Sequence, residues 1–253
     1  MGRSMAFFFV FAFVILGVGR GEASSGLAGA ARQIVVCIAP KTSSYEGTLQ
    51  LFSRDAEGKW RPDSDRQPVL FAPRGLAWGR GLNPPQSGPR KETGDHRNPA
   101  GLFQLGPVLG YASSLPEGAA GWPYHQVTDR DAWIDDPSLP NFNHLYTLPA
   151  GAPLPSWWER ERMHIGDFAY EWMVVIEHNY NAPEPNAGNS IFFHIRRGEH
   201  YRTSGCTTMA RDDLVHLIKW LQPGSNAMMV ELSRGDYQRV WRDWQLPPPD
   251  QAL

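Results

Sequence analysis

A chain of 253 residues is long enough to bury one sizeable core and short enough to need only one. Its 24 Lys and Arg stand against 26 Asp and Glu, a formal net charge of −2 at pH 7, so the charge balance makes no case for a nucleic-acid partner. Two cysteines exclude a disulfide framework, and 25 Gly with 22 Pro favour short strands joined by many turns over a helical protein.

Residues 1–23 read as a secretory leader. Arg3 supplies a basic start, residues 5–18 are apolar, and Gly21-Glu22-Ala23 is a small-x-small cleavage site before Ser24. The uncharged run between Arg3 and Arg20 has sixteen residues, short of the roughly twenty a spanning helix needs. Left uncleaved, it would serve as a membrane anchor. Either way the rest is expected to be exported, to the periplasm or cell envelope. A short linker over 24–32, one domain over 33–232 and a C-terminal extension over 233–253 follow.

Residues 34–38 are a continuous apolar run that predicts a buried strand, with Cys37 as packing. Residues 48–53 alternate, and Glu57-Gly58 turns them toward Lys59-Trp60. Residues 69–72 lead into the glycine-rich stretch 75–82, and 83–90 is a Pro-rich loop. Residues 91–103 are basic and polar, either the edge of a substrate cleft or, as charge alone favours, a solvated hairpin. From 117 to 158 the chain is rich in Pro, Asn, Asp and aromatics with little periodicity, the pattern of a lid or cleft wall. Trp122, Trp133, Trp157 and Trp158 in that stretch are candidates for stacking on sugar rings, though packing is the commoner role. A short helix over 156–163, a central strand over 170–176, a last strand over 228–232 and a small helix over 237–244 complete the reading. The Pro247-Pro248-Pro249 tail ends the fold.

The chemistry concentrates near the end. Ile191-Phe192-Phe193 is strand-like and delivers His194, and Cys206 follows twelve residues later, after Thr203-Ser204-Gly205. Turns at Arg197-Gly198 and at residues 203–205 let the chain fold back and bring Cys206 beside His194. Leu214, Leu217, Ile218 and Leu221 then fall at helical spacing, and Pro223-Gly224 stops the helix. A thiol just ahead of a helix N-terminus is expected to be biased toward thiolate, and a histidine within reach makes it an activated nucleophile. Against this, a lone Cys is more often core than nucleophile, and a strand-end His is usually a satisfied polar group. His178 competes as the base, since it also follows a strong strand. A Cys37–Cys206 disulfide would silence the nucleophile. No H-E-x-x-H or paired C-x-x-C spacing supports zinc, and Gly79-Arg80-Gly81 lacks the context of a dinucleotide loop.

His194, Ser204, Gly205 and Cys206 resemble the H-x(n)-[S/T]-x-G-C active-site motif of the L,D-transpeptidase (YkuD-type) catalytic domain. The approach Gly188-Asn189-Ser190-Ile191-Phe192-Phe193-His194 is similar to the branch with a T-x-G-C motif. Lys91-Glu92-Thr93-Gly94-Asp95-His96-Arg97-Asn98-Pro99-Ala100-Gly101-Leu102-Phe103 resembles that branch's K-x-E-G-D-x-x-T-P-x-G-x-F segment, departing at Thr93 and Asn98. Trp133-Ile134-Asp135-Asp136-Pro137 is also similar, and Ser204 stands where many relatives carry His. The likeness runs from about residue 33 to residue 232. It implies a mainly β fold with few short helices, a single sandwich- or barrel-type catalytic domain. It implies peptidoglycan stem peptides as substrate, Cys206 as nucleophile and His194 as base. The backbone N–H of Cys206, with that of Gly205 or Ser204, would hold the oxyanion. No cofactor and no metal are required, and a monomer is expected. The same site could instead hydrolyse the peptide, or persist as a degenerate cell-wall-binding module.

Overall fold

The structure is a computed structural model and describes residues 27–199 and 201–253; the leader predicted over 1–23 lies outside them. The predicted first strand is β1 (Gln33–Ala39), buried along its whole length. It is followed by β2 (Glu46–Arg54), β3 (Trp60–Pro62), β4 (Gln67–Leu70) and β5 (Leu76–Trp78). The longest strand is β6 (Asn98–Gly110), then come three short ones, β7 (Tyr124–Gln126), β8 (Asp131–Trp133) and β9 (Leu145–Thr147). After a one-turn helix α1 (Trp158–Glu161) the chain forms β10 (Met173–Ile176), β11 (Phe192–Ile195) and β12 (Thr207–Met209). Helix α2 (Arg211–Trp220), β13 (Met228–Ser233), α3 (Arg234–Val240) and α4 (Pro249–Ala252) complete it.

Neighbouring strands run in the order β1, β13, β6, β10, β11, β12, β4, β2, and β2 pairs again with β1, so the sheet closes on itself. Closure leaves no open edge in the ring. The expected mainly β fold is therefore a barrel. Strands β8 and β9 form a separate two-stranded sheet beside it. The periodicity at residues 214–221 is met by α2, which buries Leu214, Leu217 and Ile218 in the same core as Ile34, Phe103 and Val230.

Most pairings in the ring are antiparallel, but β11 and β12 are parallel. Parallel neighbours cannot be joined by a tight turn, so the chain must travel back the length of the strand before starting again. Residues 196–206 make that return. They deliver Cys206 to the start of β12, level with the start of β11, since Phe193 lies opposite Thr207 and His194 opposite Thr208.

The sequence reading misses β6, the strand at the centre of the ring. Charge alone makes residues 91–103 a solvated hairpin and the family likeness tips them toward the site; Lys91 is buried and residues 98–103 are the first half of β6. The tail does not simply end the fold. Leu246 and Ala252 belong to the main core, and Trp60 Nε1–H donates to Gln245 O at 2.8 Å.

Candidate active site

Side chains alternate across a strand, so Phe192 and His194 share one face of β11 while Phe193 and Ile195 face the other. Phe193 and Ile195 join the main core. On the opposite face Phe192 packs with Trp133, Met173 and Val175, and Cys206 packs against that same cluster. Cys206 extends β12 one position backward, which places it beside Phe192 on this face. His194 is then its diagonal neighbour, and both line one cavity of about 380 Å3. The predicted Ser204 and Gly205 line it too, with Asp135, Tyr170 and Arg197.

His194 is 2 % exposed, and its Nδ1 lies 2.9 Å from Ile195 O. A carbonyl oxygen only accepts, so Nδ1 carries the proton and Nε2 keeps its lone pair. What orients the imidazole is thus a backbone carbonyl. Tyr170 adds an edge-to-face contact at 5.4 Å, and Arg197, paired with Asp167 at 2.6 Å, lies over the Tyr170 ring. Burial holds the His194 imidazolium down to a pKa of about 4, with Ile195 O opposing and Arg197 assisting.

Cys206 Sγ–H donates to Ser190 O at 3.3 Å. Its pKa is pushed up to about 12, chiefly by burial, with the N–H of Phe192 pulling the other way and Asp135 adding to the rise. The expected thiolate at a helix N-terminus is therefore corrected. Strand β12 stands between Cys206 and α2, so the helix end is four residues past Cys206 and does not address it. Burial thus disfavours the charged form of both members of the pair.

Gly205 sits in tight quarters. A Cβ there would stand 3.0 Å from Ile191 Cδ1 and 3.2 Å from Arg97 O. Its N–H reaches Thr203 Oγ1 at 3.4 Å, while the Thr203 hydroxyl donates to Cys206 O at 2.6 Å and clamps the turn. Lys91 closes the cavity floor, paired with Asp95. The two departures from the family segment are both satisfied. Thr93 Oγ1 accepts from Gly188 N–H at 3.2 Å. Asn98, fully buried, takes Ala72 N–H on Oδ1 at 2.7 Å and donates to Thr207 Oγ1 at 2.8 Å.

His178 proves structural. Both ring nitrogens are used, Nδ1 accepting from Arg80 N–H at 3.2 Å and Nε2 donating to Ala187 O at 2.9 Å. Cys37 is sealed in the core and both cysteines are free thiols, so no disulfide joins them. The tryptophans pack. Trp122, Trp133 and Trp158 are buried, Trp157 stacks on Trp158 and Tyr146, and Trp133 meets Phe192 edge-to-face at 4.8 Å under the β11 wall. Among the described residues no His, Cys, Asp and Glu cluster could hold a metal.

Ser190, Asp135, Tyr170 and Arg197 were given no individual site role by sequence reasoning. Ser190 stands inside the quoted approach to His194 and Asp135 inside a family-like segment, so position in those segments was the available signal. Tyr170 and Arg197 carry none.

A closed β-ring with a thiol and an imidazole on one cleft wall places the protein among β-barrel folds with a Cys–His cleft. The model of the YkuD family, the L,D-transpeptidase catalytic domain, matches residues 60–231, and the chain belongs to that family. Membership makes it an enzyme of L,D-transpeptidase type whose substrate is peptidoglycan. Among curated proteins none matches the chain. Strands β1 and β2 lie outside the matched span, yet their pairing is what closes the ring.

Proposed function

We propose that the protein is an exported peptidoglycan L,D-transpeptidase, working in the periplasm or cell envelope with Cys206 as nucleophile and His194 as general base. The observation that supports this most is the diagonal placement of Cys206 and His194 on one cavity wall, with Nε2 carrying the free lone pair.

The thiol starts on Ser190 O and swings to His194 as the stem tetrapeptide enters. Nε2 takes the proton while sulfur attacks the carbonyl of the L,D bond. The oxyanion is held by the N–H of Cys206 with that of Ser204 or Gly205. Collapse breaks the C–N bond, D-alanine leaves with the proton from His194, and a thioester remains. An amine acceptor then gives a proton to Nε2 and attacks the thioester, and the thiolate leaves and is reprotonated. A pair whose charged forms are disfavoured by burial suits this cycle, because charge is created only with substrate in place.

Purified muropeptides test the reading. Cross-linked dimers with release of D-alanine are expected from the wild type, and neither product from Cys206→Ala. Shortened monomers without dimers would make water the acceptor. Binding of muropeptides with no product at all would overturn the enzymatic reading.

A further inference from the structure

The proposed cycle leaves one charged group of the cleft unused. Asp135 follows β8, is exposed, and lines the cavity beside Cys206. No Lys, Arg or His side chain pairs with it among the described residues. The cavity's cations have partners already: Lys91 is paired with Asp95, Arg197 with Asp167, and Arg202 lies over the Tyr45 ring at 4.0 Å. Both side-chain bonds to Asp135 fall on Oδ1, from the Ser190 hydroxyl and from Asn189 Nδ2 at 2.8 Å, which leaves Oδ2 without one.

Its other neighbour makes matters worse for a carboxylate. Glu161 is buried and accepts the Asp135 N–H at 2.5 Å, adding a second negative charge. Although its side chain stays open to solvent, the protein packed around it, with Glu161, lifts the Asp135 carboxyl above its ordinary range, against the bonds from Ser190 and Asn189. An incoming cation relieves both penalties at once.

Ser190 ties this carboxylate to the nucleophile. Its carbonyl holds the Cys206 thiol and its hydroxyl holds Asp135. The residue sits at φ +57°, a left-handed conformation uncommon for serine, fixed by its N–H on Asn143 Oδ1 at 2.9 Å. Strained backbone of this kind persists where the surroundings demand it. Here it aims two groups of one residue at two groups of the cleft.

We propose that Asp135 is a specificity-determining residue that binds a primary amine of the substrate as its ammonium ion, beside the carbonyl carbon that Cys206 Sγ attacks. The inference rests on the thioester reading above. That reaction offers two such amines, the side-chain amine of a diamino donor stem and the attacking amine of the acceptor, and both are cations at neutral pH. The acceptor sheds one proton to solvent before it attacks and a second to Nε2, which returns it to the departing sulfur. A charge-assisted hydrogen bond of this type is worth about 10- to 100-fold in binding.

Asp135→Asn keeps an oxygen for Ser190 and Asn189 and removes the charge. Thioester formation on Cys206 is followed by intact mass with a tetrapeptide stem carrying a free side-chain amine, and with the same stem N-acetylated there. Discharge of the thioester is then titrated with a second amine-bearing stem. Each comparison is a ratio within one protein, so a loss of folded fraction cancels, and Asp135→Ala supplies a second reading of the same ratio. A preference of about 10- to 100-fold for the free-amine donor, lost in both variants, assigns the donor amine. No such preference, but a need for about 10- to 100-fold more acceptor in the variants, assigns the acceptor amine. Equal slowing of free and acetylated donors with unchanged acceptor demand overturns the inference and leaves Asp135 as a prop for Ser190. A wild type that forms no thioester overturns it together with the transpeptidase reading, a result distinguishable from failure of Asp135 alone.

Discussion

Two histidines lie on adjacent antiparallel strands or just past them, His178 two residues after the end of β10 and His194 within β11. Both are buried, and in both burial holds the imidazolium down to a pKa of about 4. By depressed pKa alone they are indistinguishable. They differ in valence: His178 spends both nitrogens on Arg80 and Ala187, whereas His194 spends one and lines a cavity with a thiol. The cysteines repeat the contrast, Cys37 sealed in the core and Cys206 opening on the cleft. A perturbed pKa reports enclosure, and an unspent lone pair in a cavity reports a site.

The largest test exchanges the histidines. His194→Gln is expected to slow thioester formation by about 10³-fold, the usual worth of a positioned general base. His178→Gln is expected to leave the rate per folded molecule within a few-fold and to lower stability by about 1–3 kcal/mol, since two buried backbone groups lose their partner. Denaturant unfolding beside single-turnover kinetics separates the two effects, and the reverse pattern would exchange their roles.

A smaller effect lies in the acid limb of kcat/KM. Nε2 takes a proton only while His194 is neutral, so activity should persist as pH falls and drop through about 4. A limb near 6.5 would mean an imidazole less enclosed than this one. Iodoacetamide sharpens the same point: with the Cys206 thiol near 12, alkylation at neutral pH should be slow and rise steadily with pH.

A further test reads stability alone and concerns the sealed interior. Glu231 is fully buried, accepts the Thr207 hydroxyl at 2.5 Å, and leaves Oε1 without a partner. Burial pushes its carboxyl up to about 8 from 4.5. Between those values the unfolded chain has released a proton that the folded chain retains, so stability falls as pH rises across the window. The slope is at most about 1.4 kcal/mol per pH unit. Glu231→Gln should flatten it in pH-dependent unfolding, and an unchanged slope would place the ionisation elsewhere.

Much of this was legible in the sequence, and for definable reasons. Strands β1 and β10 are continuous apolar runs, β13 is one broken only by Glu231 before its last residue, Ser233, and α2 carries an unbroken helical period, so each announced itself. Strand β6 did not, because Pro99, Gly101, Gly106, Pro107 and Gly110 interrupt it. Those glycines are where neighbours close in: a Cβ at Gly110 would stand 2.1 Å from Glu171 O, and one at Gly106 3.1 Å from Val175. The pairing of His194 with Cys206 was legible because both lie on one short segment. The charge state was not, since a three-residue strand between Cys206 and α2 has no periodicity to show itself. Asn143, buried behind the cleft, fixes Ser190 through a long-range hydrogen bond that no local pattern encodes.

The most direct test of the central claim is intact mass of the protein incubated with a stem tetrapeptide. The account predicts an adduct of the stem less D-alanine, confined to Cys206, absent in Cys206→Ala and formed far more slowly in His194→Gln. Shortening or cross-linking of the peptide by Cys206→Ala would contradict it.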